Sequence, residues 1–202
     1  MIKAIAPKPA LQLGLFALAS AVLLGSLHFV TRGAISDNEA LRTAKLLAFV
    51  APAINTAPTK TQQVIDGQQQ SLWQIVDDGE LIAIVLPVVA TGGYSGDIEL
   101  LVGLDQQLNI HGVRVTHHRE TPGLGDEIDT RRGDWIDIFK GLSLQNPPSE
   151  QWKVKKDGGV FDQFTGATIT PRAVVKAVKE ALLYSQKHQA ILFSPNKQSK
   201  TP

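Results

Sequence analysis

Four kinds of hydrophobic and polar patterning follow one another along the chain. From Ala10 to Thr31, "ALQLGLFALASAVLLGSLHFVT", no charged residue interrupts the apolar run. As a helix this stretch is about 33 Å long, enough for a hydrocarbon core of about 30 Å, so it predicts a membrane-spanning segment. "SDNEALRTAKLLAFVAP" then predicts a second helix, with Ser36 or Asp37 as cap, Glu39 in the first turn and Pro52 as the stop. Residues 51–70, rich in Ala, Thr, Pro and Gln, predict a connector. Next come strand patterns. "LWQIV" and "LIAIVLPVVA" flank Asp77-Asp78-Gly79-Glu80, and "IELLVGL" and "LNIHGVRVTHH" flank Asp105-Gln106-Gln107, which predicts two hairpins. Residues 119–134 form a polar loop with glycines, "DWIDIF" a short helix and "QWKV" one more strand. Residues 171–187 close the series as a helix, with Val174, Ala177, Val178, Ala181 and Leu182 on one face and Lys176, Lys179 and Glu180 opposite. Hairpins framed by helices predict an α+β fold: a largely antiparallel sheet flanked by helices, preceded by one N-terminal transmembrane helix. The expected divisions are a tail at 1–9, an anchor at 10–31, a helix and connector at 32–70, a folded domain at 71–190 and a flexible tail at 191–202.

Composition narrows the function. The chain has 202 residues, 43% hydrophobic and 19% charged, consistent with a packed core rather than disorder. The net charge is +1 and aromatics are 6%, with no interleaving of basic and aromatic residues, so no nucleic-acid partner is expected. Cysteine is absent, which removes disulfides, thiolate metal sites, iron–sulfur ligation and cysteine nucleophiles. A cleaved signal peptide fits poorly, because the clear small-x-small step, Ala17-Leu18-Ala19, lies inside the apolar run. A retained anchor is the expectation. Its orientation is not decided by charge: Lys3, Lys8 and the terminal amine balance Arg32, Arg42 and Lys45.

The candidate chemistry gathers at three glycine-containing stretches. In "FDQFTGATITPRAVV", Thr170 is a plausible N-cap and Pro171 suits the first helical position. Thr165 and Thr168 have no such duty. Gly166 permits unusual backbone angles and Ala167 leaves room, so a phosphate placed there would meet the free N–H groups at a helix start. A turn with local threonine hydrogen bonds accounts for the same residues. The second stretch, Glu120-Thr121-Pro122-Gly123-Leu124-Gly125, has the glycines for close backbone approach to a flat ligand, but neither a dinucleotide fingerprint nor a P-loop. The third is Gly92-Gly93-Tyr94-Ser95-Gly96. Elsewhere, His117 and His118 alternate across a strand and are poor co-ligands. Asp126, Glu127 and Asp129 lack calcium-loop spacing and read as a solvated acidic loop, so no metal site is expected. No serine sits in a nucleophile elbow. Asp162 reads equally as a group that seats a pyrophosphate through a metal or as a strand end.

Asp162-Gln163-Phe164-Thr165-Gly166-Ala167-Thr168 resembles the Asp-x-x-Ser/Thr-Gly-Ala-Thr flavinylation motif, and "ETPGLGDEI" and "GGYSGDI" look like two further signature loops of one family. With the anchor and "DWIDIF", the chain resembles, over nearly its whole length, the G subunit of the Rnf ion-translocating electron-transport complex, of the FMN-binding domain family. It is more distantly similar to the C subunit of the sodium-pumping NADH:quinone oxidoreductase. The resemblance implies FMN joined by a phosphoester to Thr168, within Thr165, Gly166 and Ala167, and attached by a separate flavin transferase that uses FAD with Mg²⁺ and releases AMP. It implies a lid of Glu120, Thr121, Gly123, Leu124 and Gly125, with Gly93, Tyr94 and Ser95 as a further wall. It also implies a bacterial inner-membrane protein with the N-terminus inside and the FMN domain periplasmic. Such a protein relays electrons among other membrane subunits rather than turning over a substrate alone. Pro171 departs from the family pattern, which places a small polar residue there. From the residues themselves, an anchored binding or assembly module with merely capping threonines, or a reductase with noncovalent flavin, remains open.

Overall fold

A computed structural model describes residues 7–52 and 56–194; the outer parts of the two expected tails, 1–6 and 195–202, lie outside the described residues. The first helix, α1, spans Pro7–Val50. Its first part belongs to one compact unit, Met1–Thr43, and its last turns belong to a second, Ala44–Pro202. Within the first unit, Pro9–Gly33 has a mean hydropathy of 2.0 and none of it is buried, so by length and composition it can cross a membrane. The two helices expected on either side of residues 32–36 are one. Nothing between them compels a break: no proline intervenes, and Gly33 costs only about 1 kcal/mol relative to alanine in a helix interior. The stop at Pro52 holds, since α1 ends two residues before it and the Ala51 N–H closes the last turn on the Leu47 carbonyl at 2.9 Å.

The second unit is built on a five-stranded antiparallel meander in the order β1-β2-β3-β4-β5. The strands are β1 (Thr59–Ile65), β2 (Gln68–Asp77), β3 (Glu80–Gly93), β4 (Gly96–Asp105) and β5 (Ile110–His117). β1 lies in the stretch expected to be a connector. Its alternation is blunted because Thr, Lys and Gln fill it, and only Ile65 is fully buried. The turn that pairs it with β2 is Asp66-Gly67, with φ of 50° and 77°; Asp78-Gly79, with 47° and 85°, makes the β2–β3 turn. Both are two-residue Asp-Gly hairpins, in which positive φ at both positions matches the strand twist. The strand expected at "QWKV" reduces to one isolated bridge, Val154 to Phe161, because this segment folds as single 3₁₀ turns around Ser149–Gln151 and Lys155–Asp157. The "DWIDIF" helix is also a 3₁₀ turn, Trp135–Phe139.

The final helix, α2 (Ile169–Leu192), lays Val174, Ala177, Val178, Ala181 and Leu182 inward, as the periodicity predicts. Val174, Ala177, Val178 and Leu182 form the main core on one sheet face with Ile84, Leu86, Leu100, Val102 and Val113. An aromatic cluster extends that core: Phe139 meets Trp135 edge-on at 5.6 Å and Phe161 at 5.2 Å, and Trp152 stands 5.0 Å from Phe161. A smaller core on the opposite face packs Leu47 and Val50 onto Ile75, Ala83, Val85 and Leu101. β3 is therefore covered on both sides, which explains its nearly continuous apolar run. The α1 end sits close because Gly103 and Gly112, a cross-strand pair, lack side chains beneath it. A Cβ on Gly112 would lie 2.7 Å from the Phe49 carbonyl oxygen, and one on Gly103 would be driven into the Val50 carbonyl. Gly103→Ala is therefore expected to destabilise the second unit by about 1–3 kcal/mol, the usual cost of overpacking. Gly133→Ala, whose Cβ meets only ordinary contacts, should stay within about 0.5 kcal/mol. Denaturant unfolding followed by tryptophan fluorescence measures both, and equal midpoints for the two variants would refute the close approach.

Candidate functional site

The three glycine-containing stretches meet. The β3–β4 hairpin brings its tip, Gly93–Gly96, beside the loop that leaves β5, and both abut the start of α2. Glu120 joins them. It is 4% exposed, and its Oε1 accepts the Ser95 N–H at 3.0 Å while Oε2 accepts the Tyr94 N–H at 3.3 Å. Thr170 Oγ1–H, fully buried, donates to the same Oε2 in a short hydrogen bond. The Glu120 N–H in turn donates to His118 Nδ1 at 3.2 Å. Two glycines allow this crowding. A Cβ on Gly125 would lie 2.7 Å from Thr170 Oγ1 and 2.8 Å from Glu120 Oε2, and one on Gly93 would lie 2.9 Å from Glu120 Oε1.

Beside this junction opens a hollow of about 280 Å³. Glu120, Thr121, Leu124 and Gly125 line one side, Gly166, Ala167 and Thr168 the other, and Tyr94, Ile169 and Thr170 complete it. Tyr94, Leu124 and Ile169 are 69%, 45% and 44% exposed, so the rim is apolar and open. Of the expected site residues, Thr165, Gly123, Gly93 and Ser95 lie outside this lining. Gly123 is required by its φ of 77° in the turn Thr121–Leu124, where its N–H donates to Asp126 Oδ1 at 2.7 Å. Thr165 occupies the tight turn Phe164–Ala167, closed by the Ala167 N–H on the Phe164 carbonyl at 3.2 Å, with Gly166 at φ 81°.

The threonines exchange roles. Thr170, expected as the N-cap, lies inside the helix, and its hydroxyl serves Glu120, fifty positions away in sequence. Thr168 is the N-cap residue, and its hydroxyl makes no hydrogen bond to the helix it caps. The residue signals in the sequence could not show this, because Thr170 sits at a helix start that any threonine can cap. Pro171 falls in the first turn, where a missing N–H costs nothing.

Of the acidic loop, expected to be solvated, Glu127 is exposed but the two aspartates fold inward. Asp126 and Asp129 are each 5% exposed. Asp126 accepts the Gly123 N–H and pairs with Arg132 Nε at 3.3 Å. Asp129 accepts Arg131 N and Nε at 3.0 and 2.9 Å and faces His118 Nε2 at 3.7 Å. Pairing with arginines lets these carboxylates leave water. His118 is likewise enclosed, between Glu120 and Asp129. Among the described residues no acidic or histidine cluster has a metal-holding arrangement. Asp162 is exposed, paired with Lys155 at 2.6 Å, and offers its carbonyl to Trp135 Nε1 at 2.9 Å.

Residues 93–183 match the FMN-binding domain family. The chain is similar along its length to proteins described as the G subunits of ion-translocating oxidoreductase complexes. It is 42% identical to that of Vibrio atlanticus, with 93% of this chain and 94% of the relative covered. It is 42% identical to that of Escherichia coli strain K12, with 89% and 90% covered, and 40% identical to that of Pseudoalteromonas atlantica, with 99% and 97% covered. The chain belongs to this family of G subunits. Its FMN-binding match begins at the hairpin tip, Gly93, and ends in α2, so it encloses all three stretches that frame the hollow.

The fit to FMN rests on the hollow itself. It combines apolar side chains for a ring, glycine at the point of closest backbone approach and a helix start, whose first N–H groups lack intrahelical acceptors, for a phosphate. Asp129 offers a pH test of the loop that supports it. Burial raises its carboxyl, but the hydrogen bonds and charge of Arg131, with His118, outweigh that and hold it below the ordinary 3.8. A lowered carboxylate stabilises fully above its unfolded value and loses that contribution as pH falls through its folded value. At pH 7, Asp129→Asn should cost about 1 kcal/mol or more. The gap to wild type should close as the pH falls below 3.8. Denaturant midpoints across pH 2–7 measure it, and a gap that persists at the acid end would contradict this role.

Proposed function

We propose that this chain is a single-pass membrane protein that carries FMN covalently on Thr168 and relays electrons within a redox-driven ion-translocating complex. The observation that carries the reading is the Thr168 hydroxyl, set at the start of α2, not engaged by the helix it caps and lining a hollow whose other walls are Leu124, Gly125 and Gly166. FMN held there supplies one- and two-electron chemistry, and the protein supplies placement and surroundings. Attachment forms a bond between the Thr168 oxygen and the FMN phosphorus of FAD. The pyrophosphate P–O bond breaks, AMP leaves and the hydroxyl proton passes to solvent; a separate flavin transferase with Mg²⁺ catalyses the exchange. The resulting phosphodiester sits at the positive end of the α2 dipole. Thr121, Leu124 and Gly125 then form the lid with Tyr94 as outer wall, while Gly93, Ser95, Gly123 and Thr165 shape the turns that hold these in place.

The anchor is the Pro9–Gly33 segment. In this reading the N-terminus is inside, the flavin domain is periplasmic and the other membrane subunits of the complex are the electron partners. Tethering keeps the cofactor at high effective concentration near those partners. Co-expression with a flavin transferase tests the attachment by intact mass and by flavin fluorescence on a denaturing gel. Wild type, Thr165→Val and Thr170→Val are expected to carry the adduct, and Thr168→Val is expected to lack it while remaining folded. An adduct on Thr168→Val, or none on wild type, overturns the assignment.

A further inference from the structure

We infer that Thr170 and Glu120 are a positioning pair that sets the flavin ring against its wall rather than ligands of the flavin itself. This rests on the Thr168 reading above. Glu120 lines the hollow, yet both of its carboxylate oxygens are turned to protein donors: Ser95 N–H on one, Tyr94 N–H and Thr170 Oγ1–H on the other. At 4% and 0% exposure, neither Glu120 nor Thr170 can trade these partners for water. The consequence is geometric. Thr170 lies two residues after Thr168 in the rigid first turn of α2, so the hydrogen bond to Glu120 fixes the attachment point. The same carboxylate fixes the hairpin tip that carries Tyr94, and Glu120 stands at the head of the segment that carries Leu124. One group therefore holds the tether and two walls of the hollow in mutual register. Removing the Thr170 hydroxyl leaves the bond to FMN untouched but releases the helix start from the loops. Replacing Thr170 by serine keeps the donor.

The flavinylated full-length chain, in detergent, tests this through the flavin's native-state fluorescence anisotropy and its quenching by iodide. Thr170→Val is expected to retain covalent flavin on a denaturing gel. Its ring should be freer and more accessible, with an open population raised about 2- to 10-fold, which is what one lost hydrogen bond corresponds to. Thr170→Ser should restore wild-type values, and Glu120→Gln should resemble Thr170→Val. Ile136→Val, a buried truncation in the aromatic-side core, is the control for general destabilisation and should keep the wild-type ring signal. Loss of covalent flavin in Thr170→Val while Ile136→Val accepts it overturns the ring-positioning role, since the pair would then act on attachment instead. Anisotropy and quenching unchanged in Thr170→Val, or changed equally in Ile136→Val, overturn the positioning role and leave the Thr168 assignment standing. Absence of covalent flavin on wild type overturns both.

Discussion

The burial of one carboxylate organises the site. Glu120 at 4% exposure needs hydrogen-bond donors, since leaving a buried charged group without them costs several kcal/mol. The protein supplies those donors from two distant places, two backbone N–H groups of a hairpin tip and one hydroxyl of a helix start. Each donor must come within hydrogen-bond distance of the same two oxygens. The hairpin, the loop after β5 and α2 therefore cannot shift independently. That requirement favours glycine at 125 and, together with the closer Gly96 carbonyl across the hairpin, at 93, where a Cβ would press on the carboxylate. The signature glycines of this region thus divide by physical cause. Gly93 and Gly125 yield room to Glu120 and Thr170, whereas Gly123 and Gly166 take backbone angles of 77° and 81° that side chains rarely adopt.

The sheet makes such a junction possible because it is rigid on both faces. α2 and the aromatic cluster cover one side, and the last turns of α1 cover part of the other. β3, covered on both faces over Leu81–Leu86, runs on to Gly93, so the hairpin tip extends from a strand anchored in both cores. The first turn of α2 is fixed independently from outside the hollow. Arg172 holds Asp157 through two hydrogen bonds of 2.6 and 2.9 Å, and its N–H bonds the Thr168 carbonyl at 3.2 Å. Thr168 is thus held from two directions by neighbours that leave its own hydroxyl alone.

What could be read in the sequence, and what could not, follows the range of the interactions. The apolar N-terminal helix, the Asp78-Gly79 hairpin and the amphipathic face of α2 are local patterns, and each appears where the pattern puts it. β1 is hidden because an edge strand with one fully buried residue needs no apolar alternation; the Asp66-Gly67 dipeptide is the signal available for it. The run from 32 to 36 carries capping residues, yet a cap is a preference worth about 1 kcal/mol and a helix continues through it when nothing blocks the way. The three glycine stretches stand out in the sequence, and eight of the twelve candidate residues line one hollow. Their division of labour does not stand out. Which threonine caps and which one bonds Glu120 depends on a contact fifty residues apart, and the burial of Asp126 and Asp129 depends on arginines folding back over them.

The openness of the hollow bears on what a carrier at this place must do. An enzyme that protects a reactive intermediate gains from enclosing it, since closure excludes water and side reactions. A relay has the opposite need: its cofactor must come near a donor and later an acceptor, each on another protein. Tyr94, Leu124 and Ile169 leave roughly half of their surface in solvent around the rim, more than a closed catalytic pocket tolerates. A covalent tether suits such a shallow place. A hollow of about 280 Å³ lies just below the usual range of ligand pockets, about 300–1,000 Å³. Under the proposed attachment at Thr168, retention would not depend on depth, and the walls would be left free to serve orientation and exposure.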